Sequence, residues 1–507
     1  MAHGQTPHVV VVGGGITGLA AAFFLKDEPV RVTVLEGASR IGGKLSASDV
    51  AGVPMDEGAE ALLARRPEGI GLITAAGLGD SLVPAGVTSS AIYTRGALRR
   101  LPRRQYMGVP ADIDELAATG VISDDGIARA KAESALPPGD QDVPVTDYIS
   151  SRLGAEVVDR LVDPLLGGVY AGRSEDLSFR ATLAPLAAAV ARFGTLTGAA
   201  TSLLPPAPVP APSPGTPASE PGAASSPGSA VTGADNSNKP KPVFVSLTTG
   251  IGAIPEAVAK ASGADIRANA MVRELSRTGG ASGEGGWRLT IGSAANPEYL
   301  DADAVILATP ATPAARLVKD VVPAAHAPLT EIPYASMAII TLAFRAADFP
   351  QDQLQRSGYL VPAVDGRSVK AATFSTIKWP HLARASDGKL HIVRCSIGRS
   401  GEVALLQRDD KELAGIAAFE LGESTGLAAA PVEFRVTRWG GGLPQYNVGH
   451  LDRVAAIREA VSAQPGLAVA GAAYDGVGIP ACVATAKTAA TQVLAHLHAR
   501  ASSLPGE

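Results

Sequence analysis

A short apolar run, Val9–Val12, leads straight into three glycines and then into Thr17–Lys26, whose apolar spacing is helical. This pattern predicts a buried strand, a tight turn and a helix. Val30–Leu35 predicts a second buried strand. The same signal returns far downstream, where Ala304–Ala308 and Leu467–Ala470 read as buried strands and Pro480–His496 as an Ala-rich helix. Between Pro110 and Ala200 the pattern is mostly helical, with turns expected at Pro137-Pro138 and Gly167-Gly168. From Ser336 to Ile397 strand-like runs dominate: Ala338–Phe344, Gly358–Val361, Lys370–Thr376 and His391–Ile397. Ser202–Pro242 has no periodic apolar face. Its Pro, Ala, Ser and Gly bury too little apolar surface to offset ordering entropy, so it predicts a disordered insertion in a surface connection, with a docking tail as the alternative.

The glycines give the first strand–turn–helix a chemical meaning. Gly13-Gly14-Gly15-Ile16-Thr17-Gly18 fits G-x-G-x-x-G between a strand and a helix, the context that motif needs. Gly13 permits the tight turn, Gly15 lets backbone approach a pyrophosphate, and Gly18 allows close helix–strand packing. Free N–H groups at the helix start then favour the phosphates. Glu36, at the end of the second strand and followed by Gly37, is placed to accept ribose hydroxyls. Arg40-Ile-Gly-Gly43-Lys44 offers a second close approach to the phosphates. At the far end, Gly471 and the segment Val477-Gly478-Ile479-Pro480 precede a helix whose N-terminus can stabilise negative charge on a bound ring.

Composition narrows the class. The 507 residues are too many for one compact core and suit interleaved domains. A net charge of -5 argues against a nucleic-acid binder. Only Cys395 and Cys482 are present, so neither a disulfide framework nor Cys/His metal spacing exists, as suits a reducing cytoplasm. With no apolar run of membrane-spanning length and no convincing signal peptide, the chain is expected in the cytoplasm, with a peripheral membrane contact as the alternative.

The expected fold class is α/β: a Rossmann-like dinucleotide-binding domain (1–75, 243–320 and 436–507) interleaved with a β-rich substrate domain (76–110 and 321–435) and a helical subdomain (111–201), with the insertion at 202–242.

The glycine segments resemble the FAD-binding monoamine oxidase and protoporphyrinogen oxidase superfamily. Longer stretches narrow the resemblance: Met55-Asp-Glu-Gly-Ala-Glu60, Leu101-Pro-Arg-Arg-Gln-Tyr-Met-Gly-Val-Pro110, Gly168-Val-Tyr-Ala-Gly172, Thr373-Phe-Ser-Thr-Ile-Lys-Trp-Pro-His381 and Leu443-Pro-Gln-Tyr-Asn-Val-Gly-His450. Nearly end to end, the chain looks like the bacterial coproporphyrinogen III and protoporphyrinogen IX oxidases of haem synthesis. It departs from them where Gly58 lacks a following proline and where Arg173 replaces a common acid. The resemblance implies non-covalent FAD, held by the residues above together with Gly58, Ala59, Glu60, Ala61, Val272 and Trp439. It also implies a hydride-accepting flavin that needs no side-chain base, three two-electron steps, and reoxidation by oxygen to hydrogen peroxide. A transient contact with the next haem-pathway enzyme is a further expectation.

Such a substrate is a flat apolar ring with carboxylates at its rim, which calls for an apolar slot with cations at its mouth. Arg65, Arg66, Arg104 and Lys378 are the cation candidates, alongside Arg99, Arg100 and Arg103. Gly168 and Tyr170 match the segment lining the slot. His450 is expected to be a satisfied core histidine, and Cys482 to lack activating cations. Coproporphyrinogen III is the expected substrate, with protoporphyrinogen IX as the alternative. A flavin amine oxidase, a carotenoid desaturase or a non-catalytic porphyrin carrier stand further off.

Overall fold

The structure, a computed structural model, describes residues 6–135, 139, 141–205, 242–279 and 285–502. The turn expected at Pro137-Pro138 and nearly all of the Pro-rich insertion lie outside the described residues.

Strand β1 (His8–Val12) is buried along its whole length, as a central parallel strand covered on both faces must be. It pairs in parallel with β2 (Arg31–Leu35) on one side and with Ala304–Leu307 on the other. Asp265–Arg267 and Leu467–Val469 complete a five-stranded parallel sheet. Helix α1 (Ile16–Phe24) and the C-terminal helix Ile479–Ser502 cover one face, sharing a core of Leu19, Phe23, Val483 and Ala486. The first and last elements of the chain therefore lie side by side.

A seven-stranded sheet forms the second layer, in the order Glu433–Pro444, Tyr334–Arg345, Leu390–Ile397, Val369–Phe374, Gly358–Leu360, Ala91–Thr94 and Ala97–Arg100. One face packs on the helix Asp410–Thr425 through Ile340, Phe374, Leu413 and Leu421. The helices between Ile113 and Ser202 form a separate core that includes Tyr170 and takes in Ile92, Tyr446 and Val477 from the surrounding elements.

Two expectations need correction. Gly167-Gly168 is not a turn: both glycines lie within the helix Asp163–Tyr170, because the chain reverses only at Ala171, in the left-handed conformation at φ 52°. The seven-stranded sheet also continues past the boundary expected at 435, since Glu433–Pro444 pairs along nearly all of Tyr334–Arg345. No helix of the described residues is long and apolar enough to cross a membrane.

Candidate cofactor and substrate site

The three key glycines have three different surroundings. Gly13 sits at φ 111°, and a Cβ there would lie 2.7 Å from the Ala308 carbonyl oxygen. At Gly18 a Cβ would fall 1.8 Å from the Gly13 carbonyl oxygen, so only glycine lets helix and strand approach. At Gly15, whose φ of -72° is ordinary, a Cβ would meet nothing within 4 Å. Gly15 therefore faces an open cradle. It also caps α1 without any side-chain cap, which leaves the first-turn N–H groups, beginning with Ile16 and Thr17, available to an anion.

Other segments close around this cradle. Glu36 accepts from the N–H groups of Gly14 and Ala38, both at 2.8 Å, which aims its carboxylate across the turn and leaves further lone pairs free. Behind it, Ala270 N–H donates to the Glu36 carbonyl at 2.7 Å, which brings the start of the Val272 strand beside Gly37. Gly42 bridges to Gly15, and Arg40 donates to the Gly43 carbonyl at 2.9 Å. Lys44 is accessible, yet the walls around it desolvate its ammonium enough to lower the pKa. A Cβ on Gly58 would sit 2.2 Å from the Lys44 carbonyl oxygen and 3.3 Å from the Trp439 ring, so these three residues form one wall. Trp439 itself donates to the Glu57 carbonyl at 3.0 Å.

The C-terminal segment completes the enclosure. Gly471 and Gly476 adopt φ of 136° and 142°. Tyr446 holds this loop at two points: its hydroxyl donates to the Ala472 carbonyl at 2.6 Å and accepts from Gly476 N–H at 2.7 Å. Val477 packs on the helical core, while Gly478 is exposed and Ile479 is buried. Cys482 lies in the first turn of the last helix, beside the Thr17 hydroxyl and near Lys44. Lys44 does not activate it: burial outweighs the nearby cation and raises the thiol pKa.

Ala59 and Ala61 flank the most strongly charged buried group of the wall. Glu60 pairs with both Lys378 and Arg394 at 2.7 Å. Burial opposes its ionisation, but the two cations together hold its pKa down to about 2. Arg394 also donates to the Gly58 carbonyl. Lys378 is thus already neutralised inside the protein, which corrects its reading as a free carboxylate clamp.

The other expected clamps separate in the same way. Arg66 is paired with Glu68 at 2.9 Å, and the Arg104 guanidinium donates to the Pro205 carbonyl at 3.4 Å. Arg65 is exposed and has no hydrogen bond or ion pair among the described residues.

Tyr170 is buried against the tilted ring of Tyr446 at 5.4 Å, while Gly168 and Val169 stay exposed on the same helix, with Leu360 3.8 Å from where a Gly168 Cβ would lie. The helix thus leaves one bare backbone position, Gly168, near Leu360. His450 is fully buried and stacked on Tyr446 at 3.9 Å. It is a neutral core ring: burial lowers its pKa to about 4, opposed in part by the Tyr474 backbone beside it. Sequence reading also passed over Tyr446 as a site residue. Its place in Pro444-Gln-Tyr446 gave no hint that its hydroxyl would bridge a loop 26 residues away.

The family model for flavin-containing amine oxidoreductases matches residues 16–494. A protein named coproporphyrinogen III oxidase from Mycobacterium tuberculosis is 35% identical over 97% of this chain and 98% of its own length. The Bacillus subtilis protein of the same name is 28% identical over the same shares. A crystallised candidate protoporphyrinogen oxidase from Exiguobacterium sp. 255-15 superposes with a TM-score of 0.79 at 29% identity, covering 97% of this chain and 99% of that one. Cyclohexylamine oxidase from Brevibacterium oxydans shares the fold, with a TM-score of 0.67 at 17% identity over 97% of this chain and 100% of that one.

Proposed function

Since the chain belongs to the flavin-containing amine oxidoreductase family, we propose that it binds FAD non-covalently and oxidises coproporphyrinogen III to coproporphyrin III, with oxygen as the terminal acceptor. The open cradle at Gly15, between two glycines that are closed by packing, is what fits a dinucleotide. When bound, the flavin supplies a two-electron acceptor.

The chain's own residues bind and orient. The N–H groups at the start of α1 take the pyrophosphate, and Glu36, oriented by Gly14 and Ala38, takes the ribose. The Gly471–Ile479 loop, pinned by Tyr446, meets the ring end of the cofactor. The exposed Gly168 position receives the flat macrocycle, because a helix without a side chain at that point admits a planar ligand closely. Neither nearby titratable ring suits proton exchange near neutral pH: burial pushes Tyr170 up to about 12 and His450 down to about 4. The protons lost by the substrate therefore leave without a side-chain base. Cys395 and Cys482 are both buried thiols whose pKa burial raises, which suits a flavin held without a covalent bond.

The observation that carries the substrate is the full-length likeness to proteins named coproporphyrinogen III oxidase. Side-by-side turnover of coproporphyrinogen III and protoporphyrinogen IX, read by porphyrin fluorescence and hydrogen peroxide release, tests it. Faster turnover of the tetracarboxylate supports the reading; faster turnover of protoporphyrinogen IX overturns it.

A further inference from the structure

Beside the Gly58–Ala61 turn lies a small cavity lined by Asp56, Glu60, Trp379, His381 and Arg394 among others. Its free volume of about 10 Å³ is close to what a single water needs. Three side-chain atoms of the lining residues are buried with no hydrogen-bond partner: Trp379 Nε1, Arg394 Nε and His381 Nδ1. Trp379 is 1% exposed and Arg394 7%, so bulk water satisfies neither. The rest of the Arg394 guanidinium is committed to Glu60 and the Gly58 carbonyl.

A buried N–H donor left unpaired is costly, and native proteins meet such groups with ordered water. The chemistry of the lining fits one water well. The indole N–H and the guanidinium Nε–H can only donate, the neutral imidazole can accept at Nδ1, and the carboxylates can only accept when ionised. An anion would face two carboxylates, and a cation would face the guanidinium.

We propose that this cavity is a binding site for one ordered water that accepts from Trp379 Nε1–H and Arg394 Nε–H and donates to His381 Nδ1 and to a carboxylate oxygen of Asp56 or Glu60. The water links the Trp379–His381 arm to the buried cluster that holds the Gly58 turn. The site stands on the cavity and its unpaired atoms, whatever the substrate proves to be.

The three tryptophans make the test selective. Trp287 Nε1 donates to the Pro465 carbonyl at 3.1 Å and Trp439 Nε1 to the Glu57 carbonyl at 3.0 Å, so Trp379 alone depends on water. The flavin-loaded full-length protein, labelled with 15N at the indoles, should give three N–H signals, assigned by Trp→Phe variants. Only the Trp379 signal should show cross-relaxation with a long-lived water. A Trp379 signal without that cross-peak overturns the proposal. In a crystal structure that resolves ordered water, a density peak within hydrogen-bond distance of Trp379 Nε1 and Arg394 Nε supports it. A dry cavity, or an indole donating directly to a carboxylate, overturns it.

Discussion

The Tyr446 hydroxyl accepts the Gly476 N–H at 2.7 Å while donating to the Ala472 carbonyl at 2.6 Å, so one phenol ties both ends of the loop that closes the proposed flavin site. The ring of the same residue touches Tyr170 on one side and stacks on His450 on the other. A single side chain therefore joins the helix Asp163–Tyr170 to the Gly471–Ile479 loop.

Tyr446→Phe should preserve both ring contacts and lose both hydrogen bonds. With two partly buried backbone groups left unpaired, stability should fall by about 1–3 kcal/mol. The visible flavin spectrum should shift and kcat should drop more than KM rises. Thermal unfolding, absorption spectra and steady-state kinetics check this; an unchanged spectrum with a raised KM alone would place the residue in substrate binding instead.

Gly15 and Gly18 should fail in different ways. Gly15→Val puts a side chain into open space at an ordinary φ, so the protein should fold but be colourless. Gly18→Ala drives a methyl into the Gly13 carbonyl, and the fold itself should lose about 1–3 kcal/mol or more. Circular dichroism beside flavin absorbance separates the two outcomes. A yellow Gly15→Val protein would contradict the cradle.

Glu60→Gln should be severe, because the buried Arg394 and the half-buried Lys378 would lose their shared anion. A loss of about 3–5 kcal/mol is expected, measurable by denaturant unfolding. The pH dependence has a definite sign. The folded pKa of Glu60, about 2, lies below the ordinary 4.5, so its stabilisation is present above pH 4.5 and is lost as pH falls toward 2. Asp56 acts oppositely: burial raises its pKa to about 6 from 3.8, so its contribution is greatest below pH 3.8 and declines as pH rises through 6. Asp56→Asn should flatten the second dependence and leave the first in place.

Arg65 is exposed, with no hydrogen bond or ion pair among the described residues, so Arg65→Ala should raise KM for a tetracarboxylate porphyrinogen with kcat little changed. A rim contact of about 1 kcal/mol corresponds to roughly fivefold, and the effect should fade with salt. Lys378→Ala should instead act on stability by exposing the Glu60 charge. A large KM effect at Lys378 with unaltered stability would reverse this division.

The local sequence determined the elements and the glycine-rich turn. The run Val9–Val12, the three glycines and the terminal acid Glu36 sit within one strand–turn–helix–strand, and short-range sterics decide what each glycine must do. The helical and strand-rich stretches were legible for the same reason, since periodicity is a local property. Charge pairing was not. Lys378 and Glu60 stand 318 residues apart, as do many residues of like type, and only the packing of the seven-stranded sheet against the Gly58 turn makes them partners. The same holds for Tyr446, His450 and Cys482: whether a polar side chain is a ligand, a hinge or inert packing depends on which distant backbone groups reach it. The tertiary fold alone decides that, because the energy of a buried polar group is set by the partners around it and not by its neighbours in the chain.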